Sequence, residues 1–204
     1  MKRIVQLILF FLLYATGSSA QYILDTPDGK KVRLNKDGTW SFITSNNAEL
    51  KKNTIPTTST TKYVSKFNKY AIWYNPTQWL CDTTKKENDV TWDATFYSKD
   101  LAVTGYYMES RLSSPTSEFE ATVRSQYSGY GEVKSFVNFK DTINNLPLYG
   151  FDLFLEYGGV TYQYRGYVYS TLRGSFQFTV GTQKEVFEED KDKIKELFQG
   201  LIKL

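Results

Sequence analysis

The side chains best suited to chemistry in this sequence are carboxylates on predicted strands. Asp152 and Glu156 share one strand face, because alternate residues of a strand point to the same side, and Asp93 lies on another strand. Two carboxyl groups about 5–9.5 Å apart can hydrolyse a glycosidic bond. Alternation places these three acids among solvent-facing positions, opposite the predicted core. A carboxylate-based hydrolase acting on glycans is therefore an alternative interpretation, and no catalytic residue is assigned.

Two absences narrow the chemistry further. The 204 residues include no His, which excludes Ser-His-Asp and Cys-His catalysis and His-ligated metals. The one Cys, Cys81, cannot by itself form an internal disulfide, a redox pair or a structural zinc site. Because it follows Trp79 and Leu80 in an apolar stretch, we expect Cys81 to be buried and inert. The alternative is an intermolecular disulfide or a reactive thiol.

The sequence predicts no cofactor and no metal ligand. An oxygen-only site would take Ca²⁺ or Mg²⁺. The Asp28-Gly29 and Asp37-Gly38 turns lack the alternating ligands and closing Glu of an EF-hand loop. A calcium or small-ligand site in the crevice between sheet and helix stays open as a second alternative.

Aromatic side chains supply the candidates for contact with a partner. They make up 17% of the chain, and Tyr and Arg are common hot-spot residues of interfaces. The possible surface contacts are Tyr162, Tyr164, Arg165, Tyr167, Tyr169 and Arg173. On a regular strand the first two tyrosines face one side and the last two the other, so one pair is expected under the helices and one toward solvent. Cross-strand aromatic packing is the alternative role.

The first twenty residues have the pattern of a secretory signal peptide. Lys2 and Arg3 precede an apolar run of twelve residues, Ile4 to Ala15, and small residues lead up to Gln21. The alternative is an uncleaved N-terminal anchor, and the length of the run argues against it, because twelve residues are too few to cross the ~30 Å hydrocarbon core of a membrane. We expect cleavage after Ala20, export to the periplasm or the exterior, and no transmembrane anchor afterwards.

Charge gives no sign of a nucleic-acid partner. The chain has 25 basic and 22 acidic residues, and two of the basic ones lie in the leader. A near-neutral chain lacks the basic surface that binds phosphate backbones. The expected partner is an envelope or extracellular protein or a glycan, of unknown identity.

Composition divides the remaining chain into three parts. Residues 21–43 carry two turn signals, around Pro27 and Asn35, between short alternating segments, which predicts a three-stranded β-meander. Residues 44–62 are rich in Ser, Thr and Asn and predict a flexible linker. Residues 63–204 are long enough to bury a core.

The third part predicts an α+β domain of antiparallel strands with two helices packed on one face. One helix opens at Ser114-Pro115 and buries a stripe of Phe119, Val123 and Tyr127. Gly158-Gly159 predicts a long hairpin. The closing helix spans about 186–199, and its lysines are interpreted as a solvated face.

This layout resembles the PsbP-like fold group. The resemblance rests on four features: an aromatic strand followed by Tyr74-Asn75-Pro76 and Trp79, the strand that contains Gly150, the Gly158-Gly159 hairpin, and a helix that ends in Leu197 to Leu201. The Asp-Gly meander ahead of it is similar to a module of uncharacterised bacterial exported proteins. The resemblance implies a non-enzymatic domain that acts through its surface. The expected function is an exported binding protein of the bacterial envelope or exterior.

Overall fold

The computed structural model describes residues 23–25, 31–34, 40–43, 53–84, 86–87, 90–113 and 118–204. The predicted leader and its cleavage site lie outside these residues. The chain divides into two compact units, Met1–Leu50 and Lys51–Leu204.

The first unit contains a small antiparallel sheet. Its strands are β1 (Ile23–Asp25), β2 (Lys31–Leu34) and β3 (Trp40–Ile43), hydrogen-bonded in that order. Val32 pairs with Leu24 on one side and with Phe42 on the other. The predicted three-stranded meander is confirmed.

The second unit is built on a seven-stranded antiparallel sheet in the order β11-β12-β13-β14-β10-β9-β6. A three-stranded sheet, β15-β5-β4, and a two-stranded one, β7-β8, accompany it. The strands are β4 Thr61–Val64, β5 Tyr70–Tyr74, β6 Trp79–Asp82, β7 Lys86–Glu87, β8 Val90–Thr91, β9 Ala94–Ser98, β10 Thr104–Ser110, β11 Glu132–Ile143, β12 Leu146–Tyr157, β13 Val160–Thr171, β14 Gly174–Gln183 and β15 Leu201–Lys203.

Two tight turns connect the three longest strands. Gly158 and Gly159 have φ of 59° and 79°, a conformation that glycine adopts without a steric cost, and they confirm the predicted hairpin between β12 and β13. Asn144 and Asn145 have φ of 48° and 65° between β11 and β12. Asn tolerates this left-handed region better than most residues.

Aromatic rings lie across glycines on neighbouring strands. Phe151 is paired with Gly166, and a Cβ added to Gly166 would lie 2.3 Å from the Phe151 ring. Tyr164 stands in the same relation to Gly181. The missing Cβ lets each ring cover the adjacent strand, so these glycines are packing residues of the sheet.

The helices cover opposite faces of the seven-stranded sheet. Helix α1 (Phe119–Ser128) packs against Phe151 and Tyr164, and its buried residues confirm the predicted stripe. The predicted placement of both helices on one face is wrong. The closing helix packs against Tyr167 and Phe178 through Phe198, and residues three apart on a strand, such as 164 and 167, point to opposite sides. We call the two sides the α1 face and the α3 face.

The closing helix is broken in two. Helix α2 (Lys184–Glu189) and helix α3 (Lys191–Gln199) meet at Asp190, because Asp is a weak former of helix interiors. Strand β15 follows and pairs with β5, burying Leu201. Three residues are too few for a strand pattern to be recognised, so sequence analysis missed β15. The sheet β15-β5-β4 also packs on the α3 face, where Tyr70 contacts Phe176.

One predicted boundary differs from the structure, and one lies outside the described residues. The predicted linker 44–62 overlaps the second unit: strand β4 begins at Thr61, and Ser59 is buried. The backbone of this segment has hydrogen-bond partners within the second unit: the Thr54 N–H donates to Asn144, and Thr61 and Lys62 pair with strand β5. Composition alone could not show these partners. Helix α1 is described only from Phe119, since 114–117 lie outside the described residues.

Candidate functional site

A crevice of about 750 Å³ opens on the α3 face, between helix α3 and strands β11 and β13. Its position follows from element lengths. A twelve-residue strand is about 40 Å long, whereas the nine residues of α3 span about 13 Å. The short helix therefore leaves part of the long strands uncovered. The apolar wall of the crevice consists of Ile143, Tyr167, Phe187, Ile194 and Phe198.

Asn144 holds the two sides of the crevice together. Its amide nitrogen donates to the carbonyls of Gln199, at 2.6 Å, and Leu201, at 3.0 Å. Its amide oxygen accepts a hydrogen bond from the Thr54 N–H at 2.7 Å. The last carbonyls of a helix lack intrahelical partners. The β11–β12 turn thus anchors the end of α3 and the segment at residue 54 through one side chain.

Tyr167 places a hydroxyl group at the crevice wall. The hydroxyl donates to Asp141 Oδ2 at 2.9 Å, and its ring meets Phe198 edge-on at 4.9 Å. Burial raises the pKa of Tyr167, and the hydrogen bond to Asp141 raises it further. The hydroxyl therefore stays protonated at neutral pH, as a donor and not as a base.

Arg165 and Asp152 form a two-pronged ion pair beside the crevice. Arg165 Nε and a terminal nitrogen each donate to an Asp152 oxygen at 2.7 Å. This hydrogen bonding raises the pKa of Arg165, and the charge of Glu188 adds to it. Asp152 is thus occupied in holding the guanidinium, and the charge of Arg165 is largely offset by its neighbours.

The rim of the crevice carries cations without such partners. Lys191 and Lys195 are exposed and lie one turn apart on α3. Among the described residues neither forms an ion pair. Asp141 is the one acid among the described lining residues, and it accepts the Tyr167 hydrogen bond. The rim therefore favours a negatively charged group.

The other candidate carboxylates do not converge on the crevice. Asp93 pairs with Lys66 at 2.8 Å, and Glu156 lies 3.2 Å from Lys134. Each acid faces a base, whereas glycoside hydrolysis needs two carboxyl groups facing a common bond. Among the described residues no group of three or more His, Cys, Asp or Glu is arranged to hold a metal ion.

The candidate tyrosines are divided between the faces. Tyr162 and Tyr164 lie on the α1 face, at a shallow cleft of about 360 Å³ shared with Tyr130 and Tyr157. Burial raises the pKa of Tyr164 to about 12, with smaller effects of Tyr162 and Tyr130. The expectation that one pair of tyrosines faces solvent does not hold, because both faces of the sheet are covered.

Two other predicted contact residues lie away from the crevice. Tyr169 packs on Phe176 at 5.7 Å in the core of the α3 face, and Arg173 is exposed in the β13–β14 turn. Arg165 and Tyr167 are therefore the two predicted contact residues at the crevice. Asn144, Lys191 and Lys195 were not singled out from the sequence.

Cys81 is half-buried and packs against the core of the α3 face. Burial raises the pKa of its thiol to about 12, and the charge of Asp82 contributes. The thiol is then protonated at neutral pH and a poor nucleophile.

In the part of the chain that the structure describes, no helix has the length and apolar character needed to cross a membrane.

Comparison with known proteins gives a fold and no family. No protein-family model and no curated protein matches the chain. The solution structure of cyanobacterial PsbP (CyanoP) from Synechocystis sp. PCC 6803 is similar, with a TM-score of 0.54, 12% identity, and coverage of 74% of this chain and 95% of that one. The chain thus has a PsbP-like α+β fold, as its sequence pattern predicted.

Two other structures give lower scores. A crystal structure from Bacteroides thetaiotaomicron VPI-5482 has a TM-score of 0.49 and 12% identity, covering 72% of this chain and 49% of that one. The protein of unknown function PA94 from Pseudomonas aeruginosa has a TM-score of 0.39 and 11% identity, covering 70% and 95%.

Proposed function

We propose that this chain is an exported, non-enzymatic binding protein that takes up a small anionic ligand with an apolar body in the crevice. The apolar part would lie against Pro56 and the accessible edges of Ile143 and Tyr167, and the anionic group would meet Lys191 and Lys195 at the rim. Export rests on the leader pattern of residues 1–20.

The observation that supports this proposal most is the composition of the crevice. Its volume of about 750 Å³ lies within the usual range of small-molecule sites, and its wall combines apolar side chains with placed polar groups. Tyr167 and Asn144 are held in position by their own hydrogen bonds. Such pre-organised walls reduce the entropic cost of binding.

A non-catalytic role is favoured by how the ionisable groups are used. The candidate acids Asp93, Asp152 and Glu156 are each engaged by a Lys or Arg. A general base must reach a substrate proton. These carboxylates instead accept hydrogen bonds from, or pair with, neighbouring cations. The PsbP-like fold agrees with the proposal but does not decide it, since a fold hosts many functions.

Calorimetric titration with octanoate tests the proposal, with octanol and octylamine as uncharged and cationic controls. We expect saturable binding of octanoate with a negative heat-capacity change. The double variant Lys191→Ala/Lys195→Ala should bind roughly tenfold more weakly, equivalent to about 1.4 kcal/mol. The variant Lys99→Ala/Lys184→Ala removes the same charge away from the crevice and should bind as wild type. Equal binding by all three proteins, or preference for octylamine, would refute the assignment.

A further inference from the structure

Three chain segments meet at the end of the seven-stranded sheet that carries the β13–β14 turn. They are residues 65–69, 110–113 and 171–175, which we call the basic tip. Lys69 Nζ donates to the Arg173 carbonyl at 2.6 Å, and Ser175 Oγ donates to the Leu112 carbonyl at 2.9 Å. These contacts join all three segments into one surface.

The basic tip exposes two leucines almost completely. Leu172 is 92% exposed and Leu112 is 77% exposed, the highest values among the described large hydrophobic residues. Single exposed leucines are ordinary on protein surfaces. Here the two stand on adjoining strand ends, since Ser110 pairs with Ser175. Neither side chain contributes to a core cluster of the described residues.

Four cations lie on the same three segments as these leucines. Lys66, Lys69 and Arg111 lie around the Phe67 ring, with Arg111 nearest at 4.7 Å from its centroid, and Arg173 is exposed beside Leu172. The three segments contain no acidic residue.

The two acids that contact residues 65–69 are buried. Asp93 has a side chain that is 8% exposed and pairs with Lys66, and Glu109 is 3% exposed. The outer surface of the basic tip is therefore positively charged, although the chain as a whole is close to neutral.

We propose that the basic tip docks on an anionic lipid surface, with Leu112 and Leu172 inserted among the acyl chains and the cations at the headgroups. Apolar side chains ringed by Lys and Arg are the combination that peripheral membrane anchors use, because insertion and charge attraction add. A soluble polyanion would need the cations and leave the leucines in water. The basic tip shares no residue with the crevice, so this proposal stands or falls independently of ligand binding.

Co-sedimentation with vesicles tests the proposal on exported protein whose N-terminus is verified by intact mass. We expect binding to mixed phosphatidylglycerol and phosphatidylcholine vesicles, weakening with added salt, and little binding to phosphatidylcholine alone. Leu112→Ser/Leu172→Ser should reduce the vesicle affinity at least about tenfold through lost apolar burial. Both side chains are almost fully exposed, so an unchanged circular dichroism spectrum is expected.

Matched variants separate a lipid surface from a simple anion site. Arg111→Gln/Arg173→Gln should weaken binding and flatten its salt dependence, because two headgroup contacts are lost. Leu101→Ser removes a leucine that is 69% exposed at the opposite end of β10, and vesicle binding should be unchanged. Displacement by glycerol phosphate, or full binding by the leucine variant, would show an anion site and overturn the proposal. Equal binding to neutral vesicles would overturn it as well.

Discussion

The two faces of the seven-stranded sheet are closed in different ways. On the α3 face, two helices and a second sheet enclose a large aromatic core that includes Phe96, Phe176 and Phe178. On the α1 face, one ten-residue helix covers a smaller cluster around Phe151. Both covers are shorter than the β12–β13 hairpin. The exposed remainder becomes a crevice of mixed polar and apolar lining on the α3 face and a tyrosine-lined cleft on the α1 face.

The two faces therefore differ in the size of their cores and in the size of their openings. The α3 face has both the larger core and the larger opening, and helix α3, whose end is held by Asn144, does not lie over the whole sheet. On the α1 face, a single helix packs on a smaller hydrophobic cluster. The predictions below measure how far this division holds.

The largest effect should come from truncating the core of the α3 face. Phe178 is fully buried and packs on Phe198 at 5.0 Å and Phe96 at 5.7 Å, so Phe178→Ala should lower the free energy of unfolding by about 3–5 kcal/mol. Phe119 is the first residue of helix α1, is 7% exposed and belongs to the smaller cluster, so Phe119→Ala should cost less, about 2–3 kcal/mol. Urea denaturation measures both. Equal losses would mean that the two faces form one core.

Adding a methyl group to the sheet should give the next effect. Gly166→Ala collides with the Phe151 ring inside the α1 face and should cost about 1–3 kcal/mol. Gly150→Ala meets the half-buried ring of Phe139, which can move, so its cost should be smaller. Gly129→Ala has open space and should stay within about 0.5 kcal/mol. The order of thermal midpoints checks this ranking, and a reversed order of 166 and 150 would contradict it.

Removing the Asn144 side chain should loosen one edge of the crevice. Asn144→Gly keeps the positive φ but deletes three hydrogen bonds, for an expected loss of about 1–2 kcal/mol. Amide exchange should accelerate at Thr54 and near Leu201. Asn68→Gly changes another positive-φ turn, at φ 54°, and serves as the control. If both variants lose the same stability, Asn144 is only a turn residue.

The smallest effect concerns a surface attachment of α3. The Ser98 hydroxyl bond, then the Ala102 N–H and Lys193, lower the pKa of Asp100 to about 2. A lowered pKa stabilises the fold above the ordinary value near 3.9, and this stabilisation is lost as pH falls through about 2. Asp100→Asn should cost less than about 1 kcal/mol at neutral pH, because the carboxylate is exposed. Its deficit relative to wild type should vanish in acid, and a constant deficit would contradict this origin.

Local patterns predicted the parts of the fold that depend on neighbouring residues. The four-residue spacing of Phe119, Val123 and Tyr127 identified the buried side of α1, and Gly158-Gly159 identified the hairpin. The choice of sheet face could not be predicted in this way. It depends on which strands lie side by side, and β14 pairs with β10 across more than sixty residues of chain.

The crevice shows the same limit. Arg165 and Tyr167 were candidates because of their residue types, and both lie there. Lys191 and Lys195 have the pattern of an ordinary solvated helix face. They line the crevice only because strands β11 and β13 bring Ile143 and Tyr167 to its other side. Asn144 had a recognisable signal, two adjacent Asn residues in a turn, but its partners lie more than fifty residues away.

The most direct test of the central claim, that the α3 face holds the ligand site, is an NMR titration of ¹⁵N-labelled protein with octanoate. The amide shifts of Asn144, Tyr167 and Lys195 should move together and saturate, while those of Tyr130 and Tyr162 on the α1 face stay in place. Shifts centred on the tyrosine cleft, or no saturable shift on either face, would contradict the account.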